Sequence, residues 1–233
     1  IWLFADFLKN LYENKVTLIK NIKAIITCSS SSIITKRFAN NNFDKKLYSK
    51  LKNAENQISE ICKNLGIKLT IIRPTLIYGQ VGNYRDKNIS QIIKIMNCSP
   101  IIPLPRNTGL RQPIHSIQLA GVFLNYTKKY YEKYDYAPIK EIIEVGGNSI
   151  ISYTKMILLI KENLPKYNLG KYCIIIPIPN RIFYFFLSPL ILISPKFYES
   201  ILRLTADLSG FKKSKNFKYD SKAQSFPLLP LSK

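Results

Sequence analysis

The stretch Leu69 to Gly79, L-T-I-I-R-P-T-L-I-Y-G, constrains this chain more than any other. An apolar, β-branched run ends in Arg73-Pro74, and a second short apolar run closes on Tyr78-Gly79. A segment of helical periodicity stops just before it, at Leu65-Gly66. A continuous apolar run of this kind reads as a strand buried on both faces, the property of parallel sheets covered by helices. The carboxyl end of such a strand borders the crevice where α/β proteins bind ligands. Yet no glycine-rich dinucleotide fingerprint occurs in the sequence.

The flanking segments fit the same architecture. Lys23 to Cys28 reads as a short buried strand that runs into Ser29-Ser30-Ser31-Ser32, where hydroxyl side chains compete for backbone groups and favour a turn. Asn40 to Asp44 is a polar loop. From Lys45 to Asn64, Leu47, Leu51, Ala54, Ile58, Ile61 and Cys62 recur at three and four, which predicts an amphipathic helix with Gly66 as its stop. Strand, serine turn, helix, glycine, strand is half of a doubly wound sheet. The first residues, with Leu3, Phe4, Phe7, Leu8 and Leu11 apolar, predict a helix before it.

Downstream, the pattern predicts a loop over 78–87, a helix over 88–96 and a Pro-rich irregular stretch over 99–111. The stretch 113–131 begins extended and turns helical. A strand at 139–145, a turn at Gly146-Gly147-Asn148, a helix at 152–163 and a strand at 173–178 follow. The expected division is the C-terminal half of a Rossmann-like domain over 1–80 and a mixed α/β, substrate-binding region over 81–233. The segment 181–195 is the most apolar, but its run is broken by Pro189 and falls short of the roughly 20 residues a spanning helix needs. It reads as a buried or partly exposed helix, with interfacial membrane contact as the other reading.

Composition excludes several classes. Hydrophobic residues make up 46 % of the 233 and aromatics 12 %, so the chain is not disordered and can bury a core. The formal charge of +21 has two readings: an anionic partner, or a solvated basic surface. The lysines are scattered rather than clustered, which favours the second, and no nucleic-acid motif accompanies them. Cys28, Cys62, Cys98 and Cys173 lack metal-ligand spacing and read as free thiols of a reducing compartment. The single histidine, His115, excludes any mechanism that needs two, and no metal site is expected.

The serine strand end, the 45–64 helix, R-P-T-L-I-Y-G and Gly109-Leu110-Arg111-Gln112-Pro113-Ile114-His115 occur in that order. Together they resemble the extended short-chain dehydrogenase/reductase superfamily, in its NAD-dependent epimerase/dehydratase group that acts on nucleotide sugars. The resemblance runs from the first helix to a tail at 204–227. In that family the glycine-rich turn and first strands precede the serine strand, so the chain resembles an N-terminally truncated member whose pyrophosphate site lies upstream.

The resemblance implies NAD or NADP as cofactor, a nucleotide-sugar substrate and hydride transfer at a sugar carbon. It also implies a cytoplasmic enzyme of surface-polysaccharide synthesis, with pairing through the 45–64 helix and peripheral membrane contact both open. Ser30 matches the family's catalytic serine, with Ser31 next. Tyr48 and Lys52 satisfy Y-x-x-x-K, in which a neighbouring ammonium lowers the phenol pKa for proton transfer. Glu55 stands one residue nearer to Lys52 than the family glutamate does. The register Ser49-Lys50-Leu51, with Lys46 in the tyrosine position, therefore fits as well.

Ser29, Pro74, Thr75 and Tyr78 are expected on the cofactor side. Ser31, Asn88, Arg111 and His115 are expected on the substrate side, with Arg111 clamping the diphosphate as a planar guanidinium can. Asn88 can cap its helix or reach a ligand, and His115 reads equally as a core residue. Where the family carries Asp as a helix brace, this chain has Gln118, so the helix that follows is expected to be less well capped. The alternative function is a non-catalytic protein of the same fold that binds a nucleotide or partner, at a membrane surface or elsewhere.

Overall fold

The computed structural model of the chain describes residues 1–81, 84–132, 138–217 and 225–228, with the side chains of Val81, Tyr84 and Arg85 outside that description. Gly82 and part of the 204–227 tail therefore lie outside the described residues. The chain divides into two compact units. One comprises Ile1–Thr75, Leu119–Val145 and Lys212–Ser221, the other Leu76–Gln118, Gly146–Phe211 and Lys222–Lys233.

The first unit is built on a four-stranded sheet. Ala24–Cys28 pairs in parallel with Lys68–Pro74, which pairs in parallel with Lys140–Gly146, and Lys212–Lys213 forms the far edge. The register sets Cys28 opposite Ile72 and Ile72 opposite Ile143. Ile71 and Ile72, neighbours on the central strand, are both 0 % exposed, so both faces of the sheet are covered. On one face Ile25, Leu69 and Ile71 meet Ala54, Ile58 and Ile61 of the Asn42–Leu65 helix and Leu8 of the Trp2–Asn14 helix. Each such aliphatic side chain contributes about 1.5–3 kcal/mol by leaving water.

Thr70 points to the other face, because side chains alternate along a strand. Its hydroxyl shares a 2.8 Å hydrogen bond with Tyr130 of the Ser116–Glu132 helix. Helices on both faces of a parallel sheet make the doubly wound α/β arrangement that the residue pattern predicts.

The long helix shows why it begins and ends where it does. Asn41 caps it by accepting from Asp44 N at 2.8 Å, and the Asp44 carboxylate is held in turn by the Lys36 ammonium. At the other end Gly66 takes φ 67, the left-handed turn that lets the chain reverse into the central strand.

Among the described residues the second unit has four small pairings. Ile77–Tyr78 runs parallel to Ile114–His115, Ile101–Pro105 parallel to Ile174–Ile178, Leu110–Arg111 antiparallel to Ile151–Ser152, and Gln80–Val81 antiparallel to Tyr84–Arg85. The Lys87–Cys98 and Tyr153–Asn163 helices bury Ile89, Ile93, Met96, Met156, Ile157 and Ile160 against Tyr78 and Phe226. The stretch expected to be irregular, 99–111, therefore contains a strand. Pro103 and Pro105 lack a donor, but a strand with only one neighbour tolerates that.

Two capping expectations are corrected. The Lys87–Cys98 helix is capped by Asp86, whose Oδ1 accepts from Ile89 N at 2.6 Å, while Asn88 donates to Ile77 O. The Ser116–Glu132 helix is well capped despite having no aspartate there. Gln118 Oε1 accepts from His115 N at 3.1 Å and His115 Nδ1 accepts from Ile117 N at 3.2 Å, a reciprocal pair of the capping-box kind.

The most apolar segment forms three short helices, Asn180–Leu187, Leu190–Ile193 and Pro195–Leu202, broken at Pro189. Phe183 is buried, but Phe185, Phe186, Leu192 and Ile193 are exposed. Among the described residues no helix is long and apolar enough to cross a membrane. All four cysteines are free, with Cys62 and Cys173 buried and Cys98 exposed.

Candidate functional site

At the carboxyl edge of the first unit's sheet, three chain segments leave side by side. Ser29 N donates to Ile72 O at 2.7 Å, Ser31 N to Pro74 O at 3.0 Å and Thr75 N to Val145 O at 2.9 Å. These bonds extend the parallel ladders one step past the strands and bring Ser29–Ser31 beside Pro74–Thr75. Ser30 Oγ accepts from Ser32 N at 3.1 Å, the local bond that turns the chain into the Ser32–Thr35 helix.

A buried charge network lies beneath this edge. Ser29 Oγ donates to Glu55 Oε1 at 2.6 Å. Arg73 grips the same carboxylate twice, through Nε at 3.0 Å and Nη2 at 2.5 Å, and reaches Glu144 at 3.3 Å through Nη1. The hydrogen bond that Arg73 donates to Glu55, set against desolvation, raises the pKa of Arg73 further above its ordinary value. Glu55 thus ties the serine turn, the central strand and the long helix together. Its role was readable in principle: it is an acid at 3 % exposure on a helix stripe otherwise formed by Leu51, Ala54, Ile58 and Ile61, and a buried carboxylate demands a cationic partner. Which cation, the sequence left open.

Tyr48 and Lys52 stand one turn apart on the Asn42–Leu65 helix, Tyr48 half-buried and Lys52 exposed. Among the described residues neither side chain makes a hydrogen bond. Tyr48 shares the face of Glu55 two turns on, about 10 Å along the axis at 1.5 Å per residue. Of the turn serines, Ser29 is the one bonded to that helix; the Ser30 hydroxyl accepts from Ser32 N, and Ser31 donates its N–H to Pro74 O.

The other expected residues fall in the second unit. Tyr78 is 1 % exposed, edge-on to His115 and Phe226 with centroids 5.0 Å away, and its hydroxyl accepts from Leu228 N at 3.0 Å. Burial pushes its pKa up to about 12. His115 is 2 % exposed, and with Nδ1 accepting a hydrogen bond, Nε2 carries the proton of the neutral ring. Desolvation lowers its pKa, opposed by the charge of Asp86. Its Nε2 meets no partner among the described residues and faces Gly79.

Arg111 is 6 % exposed, with its Nη1 and Nη2 donating to the carbonyls of Leu110, Ala206 and Arg203. Tyr153 lies 5.4 Å under the guanidinium, and desolvation lowers the arginine's pKa. Gln112, also buried, donates to Gly147 O and Phe211 O and accepts from Phe211 N. The G-L-R-Q-P segment is therefore a clasp on the strand after Gly146 and on 203–211, a role the sequence did not disclose.

No protein-family model matches the chain, and no curated protein matches it. Solved structures do. A tyrosine-to-phenylalanine mutant of UDP-glucuronic acid 4-epimerase from Bacillus cereus, solved with NAD and a fluorinated UDP-sugar, has a TM-score of 0.52 at 18% identity over 76% of this chain and 54% of that one. The likeness is one of fold. UDP-N-acetylglucosamine 4-epimerase from the same organism follows at TM-score 0.49 and 14% identity, over 75% of this chain and 58% of that one. The chain spans little more than half the length of these structures. With the first of them it shares a mixed α/β, Rossmann-like architecture.

Proposed function

We propose that this chain carries the nicotinamide and sugar side of an NAD-dependent enzyme acting on nucleotide sugars, an epimerase, dehydratase or 4-keto reductase. The observation that supports this most is the alignment of Ser29–Ser31 with Pro74–Thr75 at the carboxyl ends of adjacent parallel strands. That is where doubly wound sheets place ligands. The residues present fit the nicotinamide end: hydroxyl groups stand beside a proline that has no N–H to satisfy. A pyrophosphate cradle needs a glycine-rich turn, which is not among the 233 residues. NAD is the preferred cofactor because the similar Bacillus cereus epimerase was solved with it.

Bound there, the nicotinamide supplies the acceptance and return of hydride. Ser30 or Ser31 orients the reacting sugar hydroxyl, Tyr48 takes and returns its proton, and Lys52 tunes the phenol one helical turn away. Asn88, Arg111 and His115 are assigned to the nucleotide sugar in the same reading. A cytoplasmic location, a part in surface-polysaccharide synthesis and pairing through the long helix belong to the same reading.

A second reading is a non-catalytic protein of this fold that binds a nucleotide or partner. It is favoured by the exposed Lys52 and the unbonded Tyr48. The deciding experiment measures NAD and NADP binding and then cofactor-dependent turnover of UDP-sugars, for the wild type and Tyr48→Phe, in the chain with any upstream residues of its gene included. Dinucleotide binding with turnover lost in the mutant is the expected result. Absence of dinucleotide binding sinks the enzymatic reading, and unchanged turnover removes Tyr48 from it.

A further inference from the structure

The second unit bears an open cavity of about 530 Å3, within the range of small-molecule sites. Its wall is hydrocarbon, with Leu76, Ile92, Leu104, Ile157, Phe183 and Leu204 among the lining residues. The polar lining is confined to Asn88, Gln91, Tyr153 and Ser200, and no lining residue carries a formal charge. A sugar or a diphosphate would leave most of its polar groups unpaired there. An aliphatic chain would not.

The cavity is continuous with an exposed apolar face. Ile95 and Phe197 line it and are also 50 % and 56 % exposed, so they stand at its mouth. The Asn180–Leu187 and Pro195–Leu202 helices contribute Phe183, Leu187, Phe197 and Ile201 to the wall, while Phe185 and Phe186 of the first and Leu192 and Ile193 of the intervening Leu190–Ile193 helix are 74 %, 73 %, 88 % and 78 % exposed. Water is a poor solvent for so many large apolar side chains on consecutive short helices, and such a patch marks an interaction surface. Exposed Arg181 and Lys196 punctuate the same segment, Glu199 is its one acid, and the whole chain carries +21.

The geometry points to an anionic bilayer as the occupant of this face, with the cavity behind it taking one hydrocarbon chain of a bilayer lipid. Short helices with outward Phe, Leu and Ile and basic punctuation lie in the interface plane rather than across it. The basic residues meet anionic headgroups, an attraction that salt weakens. The apolar side chains enter the acyl boundary, and the mouth at Ile95 and Phe197 then opens into hydrocarbon instead of water.

The test needs neither cofactor nor turnover, so its outcome is independent of the proposed enzymatic activity. The full chain is sedimented with phosphatidylcholine vesicles and with vesicles that also contain phosphatidylglycerol, at low and high salt. A fluorescent-chain phosphatidylglycerol in the vesicles reports entry into the cavity. The expected result is binding to the anionic vesicles alone, weakened by salt and reduced about tenfold or more by the exposed double substitution Phe185→Asp and Phe186→Asp. Ile92→Trp, which fills the cavity, should retain vesicle binding and lose the chain signal. If it does not melt cooperatively, Gln91→Trp at the exposed rim replaces it.

Failure to bind anionic vesicles at low salt overturns the proposal, as does a chain signal that survives cavity filling. A dimer in light scattering that the Phe185→Asp and Phe186→Asp variant dissociates, without vesicle binding in the wild type, assigns the face to a second copy instead.

Discussion

Gly79 lies so close beneath the His115 ring that a β-carbon on it would overlap Nε2 and stand 2.7 Å from Cδ2 and 2.9 Å from Cε1. The same residue has φ 111, a backbone region that side-chain-bearing residues rarely adopt. Its N–H is taken by Asp86 at 3.2 Å, so the turn after Tyr78 is held from both sides. Gly79→Ala should therefore destabilise the chain by about 3 kcal/mol or more, from strain and overlap together. Gly66→Ala is the control: at φ 67 with nothing within 4 Å, it meets strain alone and should cost about 1–2 kcal/mol. Denaturant unfolding of both measures the difference, and equal losses would show that the ring moves aside freely.

Glu55 and Arg73 provide a second test. Both are largely buried, at 4 % and 12 % side-chain exposure, and each satisfies the other. Glu55→Leu leaves the guanidinium with only the partly exposed Glu144 at 3.3 Å and should cost about 3–5 kcal/mol, whereas Glu55→Leu with Arg73→Leu should recover most of that loss. The coupling between the two changes in denaturant melts is the measurement. Simple additivity would mean that the pair does not act as a unit.

His115 predicts a pH dependence. Desolvation lowers its pKa in the folded chain below the ordinary value of about 6.5, so the unfolded chain binds the proton first as pH falls. Stability contributed by the neutral ring is complete above the unfolded pKa and is lost as pH drops from there towards the lower folded pKa. The chain has no other histidine to mask the slope. His115→Asn keeps a helix-capping acceptor and removes the titration, and should flatten the stability curve between neutral and mildly acidic pH. An unchanged slope would place the titration elsewhere.

Arg111→Lys separates packing from ligand binding. A lysine ammonium cannot reproduce the fork that reaches the carbonyls of Leu110, Ala206 and Arg203. A loss of about 2–4 kcal/mol in stability is expected, before any ligand is added. Thermal melts of the unliganded chain decide it; a variant as stable as the wild type would return the guanidinium to a ligand role.

Tyr48→Phe should leave stability within about 0.5 kcal/mol, since the hydroxyl makes no hydrogen bond among the described residues. Turnover should fall by about 10²- to 10⁴-fold, the usual contribution of a general acid or base. Comparing melts with single-turnover rates keeps the two effects apart.

The helix over Asn42–Leu65, its stop at Gly66 and the strands at Ala24–Cys28 and Lys68–Pro74 were legible because their causes are local. Apolar residues recur at three and four or run unbroken, and glycine alone takes the left-handed turn without strain. The capping pair of His115 and Gln118 was local too, and was missed because a histidine is an unusual cap.

The sequence by itself placed Glu55 on an amphipathic helix and Arg73 at the end of a buried strand, and led to the expectation that Arg111 clamps a diphosphate; that these charges are buried, and so need partners, came from the fold. Tertiary structure decided which partner: Arg73, 18 residues away, for Glu55, and carbonyls more than 90 residues away for two of the hydrogen bonds of Arg111. Likewise, the apolar run from Arg181 announced hydrocarbon in want of cover, and only the fold placed Phe183 in a cavity wall and Phe185 in the open. Periodicity acts along the chain; pairing and burial depend on where distant segments meet.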